Sequence, residues 1–459
     1  MVRIKRPTRR GFVVGCSAAI AGMAGTRFNN FAFGAPGSGH NEETLVTIFL
    51  RGGIDGLNVV MPLGGPDRGY YESARPDLKV PASGVEKAIS LDGVFGLHPS
   101  AAQWLHPLYQ DGRLSVVLAA GLDEANRSHF DAQEYMDRGT PGNRTTATGW
   151  LARHLASADN LPAEIVMPAL SVGNTQATSL LGDRDTINLN DPDSYNLEIG
   201  PWRWRDAQRM ALRHMYGGDN TWLHTSGLQA LDGMDLIELN TTGAYTPANG
   251  ATYPNNSFGD AMQVVAQMVK LDLGLRVASL DLGGWDTHNG QGDGSGGYFA
   301  GQLGTLAEGM AALYTDLDGS GAADYSQRLT VVVQSEFGRR LYQNADRGTD
   351  HGHGNMMMVL SGSANGGVHG TWPGLAPGQL FDSADLAVTT DFRQVLSEIL
   401  IRRMGNNHLG FVFPGYSNYS PLGLVSGADM EPDYSADGTG IFADDFETGE
   451  FGRWSAITG

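Results

Sequence analysis

Apolar runs recur along the chain, and each gives way to a short turn dense in polar groups. Leu45–Leu50 leads into Arg51-Gly52-Gly53-Ile54-Asp55-Gly56-Leu57-Asn58. Leu114–Ala120 leads into Asn126-Arg127-Ser128-His129-Phe130, and Arg276–Leu282 into Gly283-Gly284-Trp285-Asp286-Thr287-His288. Leu329–Gln334 leads into Ser335-Glu336-Phe337-Gly338-Arg339, followed soon by Thr349-Asp350-His351-Gly352-His353-Gly354. The runs read as strands. Between and after them, apolar residues at helical spacing predict helices over 130–138, 261–273, 300–317 and 391–404. Ser257-x-x-Asp260 has the form of a capping box ahead of the second, and Gly405 closes the last. Helix, strand, helix, strand over 261–334 is a βαβ unit with a preceding helix. It predicts an α/β fold, a mostly parallel sheet flanked by helices. In such a sheet ligands bind outside the carboxyl ends of the strands, so the five turns are expected to line one cleft.

The ends of the chain read differently. Residues 1–35 carry Arg3, Lys5 and Arg6, then Thr8-Arg9-Arg10-Gly11-Phe12-Val13-Val14 and a weakly apolar stretch to Gly25. This is a twin-arginine signal pattern, with small residues at Ala32 to Ala35 suited to cleavage. It predicts export by the twin-arginine translocase to the bacterial periplasm or beyond. The stretch is too short and too rich in Gly and Ala for a good membrane span, and no other segment nears ~20 apolar residues, so stable membrane insertion is not expected. Gly34–Asn41 is a linker, the body spans about 43–424, and 183–257 reads as an irregular insertion carrying Trp202, Trp204 and Trp222. Residues 426–459 form an acidic tail, either a solubilising segment or, given Phe442, Phe446, Phe451 and Trp454, a sorting or docking peptide.

Charge and cysteine narrow the chemistry. The single cysteine, Cys16, lies inside the signal, which removes disulfides, thiolate metal sites and thiol catalysis from the mature chain. The formal charge is −19, and losing the six basic and no acidic residues of the signal takes it to about −25. That argues against nucleic acid as a partner. An anionic substrate needs a local positive centre, which a bound cation supplies.

Asp286 and His288 stand two apart, so on extended backbone they face the same way and form half a divalent-metal site. Asp350, His351 and His353 add donors beside glycines that allow close backbone approach. Asp55 and Glu336 each follow a strand, where a carboxylate is costly unless paired or metal-bound. Asp55 also suits a helix cap, and so does Ser128. At a helix N-terminus Ser128 alternatively serves as a nucleophile, with Asn126, Arg127, His129 and Arg339 holding a tetrahedral oxyanion. His98 in Gly96-Leu97-His98-Pro99 reads as structural or as a support behind a ligand.

In order along the chain, the signal, Leu50-Arg51-Gly52-Gly53-Ile54-Asp55-Gly56-Leu57-Asn58, Gly96-Leu97-His98-Pro99, Ser128-His129-Phe130, Gly149-Trp150-Leu151-Ala152-Arg153, Gly284-Trp285-Asp286-Thr287-His288, Ser335-Glu336-Phe337-Gly338-Arg339 and Asp350-His351-Gly352 resemble the domain-of-unknown-function 1501 family over about 43–410. That family is similar to the alkaline phosphatase and sulfatase superfamily. The resemblance implies an alkaline-phosphatase-like core with two metals about 4 Å apart. By it, Asp286, His288 and His351 or His353 hold one metal, while Asp55, Glu336 and Ser128 hold the other. Glu336-Phe337 stands where the superfamily has Asp-His. The second site is thereby oxygen-rich, and the expected cofactor is one or two ions of Zn, Mg, Mn or Ca. The function so implied is hydrolysis of phosphate or sulfate esters, on a small molecule or a polymer. The alternatives are a secreted binding or assembly protein on a degenerate hydrolase scaffold, and a metal-dependent enzyme acting on a glycan or other polymer with the Trp-rich insertion as contact surface.

Overall fold

The computed structural model describes residues 42–159, 161, 167–195, 202–219, 221–241 and 244–436. Residues 1–41, with the expected signal, and 437–459, with Phe442, Phe446, Phe451 and Trp454, lie outside the described residues. The strands in chain order are β1 (Thr44–Leu50), β2 (Val60–Pro62), β3 (Ile89–Ser90), β4 (Phe95–Leu97), β5 (Leu114–Gly121), β6 (Ala169–Ser171), β7 (Thr186–Asn188), β8 (Val277–Leu282), β9 (Leu329–Gln334), β10 (Arg339–Gln343), β11 (Thr349–His351), β12 (Asn355–Ser361), β13 (Gly367–His369) and β14 (Thr390–Asp391).

Nine of these form one mixed, mostly parallel sheet in the order β13-β5-β12-β9-β1-β8-β6-β7, with β14 paired to the end of β5. β12 alone runs antiparallel to its neighbours, β5 and β9. Every residue of β1 is buried, and successive side chains alternate between two cores. Val46, Ile48 and Leu50 meet the helices Pro99–Gln110, Ser257–Lys270 and Tyr298–Leu317 on one face. Leu45 and Phe49 meet His129–Arg138, Trp150–Ser157 and Phe392–Arg402 on the other. The result is the expected α/β layering, helices on both faces of the sheet.

Local chemistry sets the helix ends. Asn256, not Ser257, caps the helix Ser257–Lys270, its side chain accepting from the N–H groups of Phe258 and Gly259. Ser128 caps His129–Arg138 through Asp131 N, and Gly139 ends that helix in the left-handed conformation. Asp391 caps Phe392–Arg402. Among the described residues of 183–257 stand β7, two 3-10 turns, Pro192–Ser194 and Trp202–Trp204, and the α-helices Arg205–Tyr216 and Trp222–Asn240, tied by Arg205–Glu238, Arg209–Asp235 and Arg213–Asp235, each at 2.7 Å. Among the described residues, no helix is long and apolar enough to cross a membrane.

The parallel strands end in register, with Leu50 beside Leu282 and Phe49 beside Gln334. Four of the five polar turns therefore leave the sheet at one edge. The fifth arrives there instead: β10 and β11 pair antiparallel, Arg339 opposite His351, and the chain then enters β12.

Burial also gives the fold a pH dependence. His154 is fully buried, and desolvation lowers its pKa from 6.5 to about 4. Asn406 Nδ2 donates to its Nδ1 at 3.0 Å, which fixes the neutral ring. The unfolded chain takes up a proton below about pH 6.5 that the folded chain refuses. Stability from this group is therefore complete above pH 6.5 and is lost at up to ~1.4 kcal/mol per unit as pH falls towards 4. Urea unfolding at pH 7 and 4.5 should show wild type losing about 2–3 kcal/mol more than His154→Gln. Equal losses in both would remove His154 from the acid response.

Candidate metal centre

The turns at the carboxyl edge are held against one another by backbone fit and by a single guanidinium. Gly52 has φ +121°, and a Cβ there would lie 2.6 Å from the amide nitrogen of Asp286. Only glycine lets these two turns approach so closely. Arg339 is buried and donates to the carbonyls of Gly52, Gly53, Trp285 and Thr349. It also donates to Asp286 Oδ1 at 2.6 Å. Its donors are thus committed within the protein, not turned out towards a substrate oxyanion.

Around Asp286 Oδ1 stand three imidazole Nε2 atoms. Those of His288 and His351 are each 3.1 Å away, and that of His129 is 3.4 Å away. The Nε2 atoms of His288 and His351 are 2.8 Å apart. His129, Asp286 and His351 offer ligand atoms all within 4.8 Å of one another. Ligands about 2.0–2.1 Å from a tetrahedral ion lie roughly 3.3 Å apart, close to these separations.

The protons on the rings sharpen the fit. Glu336 Oε1 accepts from Gly52 N and Gln133 Nε2 at 2.8 Å and from His129 Nδ1 at 2.7 Å. Arg127 O accepts from His351 Nδ1 at 2.9 Å, and Asp350 Oδ1 from His288 Nδ1 at 3.2 Å. Carbonyls and carboxylates only accept, so each Nδ1 carries its proton, and in the neutral ring each Nε2 presents a lone pair. The acceptor atoms of His129, Asp286 and His351 thus face one another, and His288 Nε2 lies beside those of Asp286 and His351. His129 Nε2 is buried with no hydrogen-bond partner. An acceptor on the far nitrogen of each ring is the arrangement that orients histidines on a metal. Without an ion, protons answer the same need, so metal and protons compete here.

The electrostatics follow from these contacts. Burial pushes the Asp286 carboxyl up, but the Arg339 hydrogen bond and charge and the His351 contact outweigh it and bring the pKa down to about 2. Burial likewise opposes ionisation of Glu336, and the bonds from His129, Gln133 and Gly52 prevail and lower it. The Glu336 bond raises His129, against desolvation, whereas burial lowers His351. Phe337 closes the back of the site, its ring centroid 4.9 Å from His129 and 4.8 Å from His351. The open side is marked by Asp286, 49% exposed, and His288, 43%.

The sequence-predicted residues divide accordingly. Asp286, His288 and His351 come together, and Asp350 supports His288. His129, expected to hold an oxyanion, joins the ligand group instead. Glu336, expected as a ligand, orients His129. Asp55 is buried and paired: Oδ2 accepts from Arg75 and Gln291 at 2.6 Å, leaving only Oδ1 without a partner. It occupies the cap position of the helix Gly56–Val59 without a side-chain capping bond. His353 is buried against Phe381, ring centroids 4.2 Å apart, outside the cluster. Arg127 is held by Asp382 at 2.9 Å and by Asp385. Ser128 Oγ accepts from Asp131 N at 3.5 Å, its capping role, on the residue beside His129. His98 is structural, bridging Gly294 O and Ser100 N. In the expected second site, Asp55 is paired with Arg75, Glu336 with His129, and Ser128 with the Asp131 amide. Among the described residues only the cluster at Asp286 gathers three or more His, Cys, Asp or Glu ligands. No motif within the sequence marked His129 as a ligand. The available signal was a histidine at a helix start beyond a buried strand, at the same sheet edge as Asp286.

Fold and site together define a protein with a candidate His/Asp/His metal centre at the carboxyl edge of a mostly parallel α/β sheet. Over residues 206–408 the chain matches the model of a family described as Protein of unknown function (DUF1501), which supports its similarity to that family. The match takes in Asp286, His288, Glu336, Asp350 and His351, whereas His129 lies outside it. No curated protein matches the chain.

Proposed function

We propose that the chain is an exported, metal-dependent hydrolase of phosphate or sulfate esters, related to the alkaline phosphatase and sulfatase superfamily. One observation carries the reading: the ligand atoms of His129, Asp286 and His351 lie within 4.8 Å of one another, and His288 Nε2 stands beside two of them. Three nitrogens and one oxygen suit zinc or a similar borderline ion better than magnesium or calcium. Such an ion, when bound, polarises an ester and stabilises developing negative charge. His129, Asp286, His288 and His351 hold it, Arg339 and Glu336 fix two of those ligands, and Phe337 excludes water from behind. Ser128, half-buried at the positive end of the helix His129–Arg138, is the nucleophile in this reading, and the N–H groups of that first turn face incoming negative charge.

The commitment of Arg127 and Arg339 to internal partners favours a second reading, a secreted binding protein whose metal is structural. Turnover separates the two. Metal-loaded protein is assayed with 4-nitrophenyl phosphate and 4-nitrophenyl sulfate, beside Ser128→Ala. The expected result is hydrolysis by wild type and at least a ~10³-fold loss in the variant, with metal content unchanged and about 1 kcal/mol of stability lost with the cap. A fully active variant would rule out Ser128 as nucleophile. Metal-loaded wild type that turns over neither ester would favour the binding reading.

A further inference from the structure

Three N–H donors converge on one oxygen behind the metal centre. Glu336 Oε1 accepts from His129 Nδ1 at 2.7 Å, and from Gly52 N and Gln133 Nε2 at 2.8 Å each. His129 is the group being positioned, so the other two donors fix the carboxylate. Gly52 holds it from the turn after β1, and Gln133 from the helix His129–Arg138. Residues four apart share one face of a helix, so His129 and Gln133 reach the carboxylate side by side. The helix has other anchors. Ala132 and Met136 pack it on the sheet, and Asp137 Oδ2 accepts from Arg51 Nη1 at 2.8 Å. Nor does Glu336 depend on Gln133 for a partner, since Gly52 N and His129 share Oε1 and Ser335 Oγ stands 3.0 Å from Oε2. What Gln133 adds is the aim of the carboxylate, and that matters at His129. Half a turn of the imidazole would exchange Nε2 for Cε1 and take the lone pair away from Asp286. Packing on Phe337 does not separate two orientations of nearly the same shape, whereas the Glu336 bond does.

We propose that Gln133 is a positioning residue of the metal centre: it aims the Glu336 carboxylate and through it keeps His129 Nε2 turned towards the ion beside Asp286. A primary amide suits the task. It donates without carrying a charge, so it steadies Glu336 without competing with a metal-bound imidazole for it. His129 has particular need of this support, because it comes from a helix start while Asp286 and His288 share one turn that Arg339 already holds. The proposal rests on the metal centre of the hydrolase reading and not on turnover.

The test is zinc competition with a chromogenic chelator on the full chain, in wild type, Gln133→Met, His129→Ala and the double variant. Methionine keeps the length of the side chain and loses the donor. Gln133→Met should lower zinc affinity about tenfold, the lower end for a group that orients a ligand, with a urea midpoint close to that of wild type. In the His129→Ala background the same change should cost nothing, because the ring it acts through is gone. Cobalt-loaded protein gives a reading that needs no change at His129: Gln133→Met should shift the visible ligand-field bands, which report the donors around the ion. Unchanged zinc affinity in Gln133→Met, an unchanged cobalt spectrum, or an equal loss with and without His129 overturns the proposal. Wild type that binds neither metal overturns it together with the metal centre. Failure of the hydrolase reading alone shows separately, as zinc binding coupled between Gln133 and His129 without ester turnover.

Discussion

Alanine in place of His351 is expected to weaken divalent-metal binding by on the order of 10²–10³-fold. Four-ligand protein sites for zinc are worth roughly 10–16 kcal/mol, and one of four ligands accounts for about a quarter of that. His351 is the natural choice because its Nε2 contacts both Asp286 and His288 while its Nδ1 is tied to Arg127 O. Competition with a chromogenic chelator measures the change. Glu336→Gln should give a smaller loss, roughly 10–100-fold, because Glu336 orients His129 and does not itself ligate. The ordering is the informative part. If Glu336→Gln cost as much as His351→Ala, Glu336 would be a ligand and the tautomer assignment would be wrong. His353→Ala should leave metal affinity unchanged, since that ring packs on Phe381.

The second large effect is structural. Arg339→Leu should cost about 3–5 kcal/mol of folding stability, measured as a shift in the urea midpoint. The guanidinium satisfies four buried carbonyls from three turns and the carboxylate of Asp286. Removing it orphans acceptors that have no water to turn to. Arg339→Lys restores the charge but not the planar fork, so it should recover only part of the loss. Stability within about 0.5 kcal/mol of wild type in Arg339→Leu would mean that the turns hold together without this residue.

The strands of the central sheet were legible because buried β1, β5, β8 and β9 are written as continuous apolar runs with no charge inside β1, β5 or β9. Their shared edge followed from the βαβ order. β12 was not legible: Met356-Met357-Met358 carries no strand signature of its own, and its antiparallel place between β5 and β9 depends on the β10–β11 hairpin that reverses the chain. In the site, Asp286 and His288 could be read because their spacing alone makes them neighbours. The partners of Asp55 could not be read, because Arg75 stands twenty positions away and Gln291 reaches it across 236. A carboxylate at the end of a buried strand looks the same in sequence whether a metal or an arginine is its partner. His129 was hidden for the same reason: its meaning lies in Glu336 on one nitrogen and Asp286 beyond the other, both more than 150 residues later.

The central claim is that one ion sits between His129, Asp286, His288 and His351. Anomalous scattering from crystals of the full chain grown with zinc, recorded on both sides of the zinc edge, locates such an ion directly. The account predicts a single strong peak about 2.0–2.2 Å from Asp286 Oδ1 and from the three Nε2 atoms, with Glu336 still on His129 Nδ1. A peak between Asp55 and Glu336, or no peak within reach of His129 and His351, would contradict it.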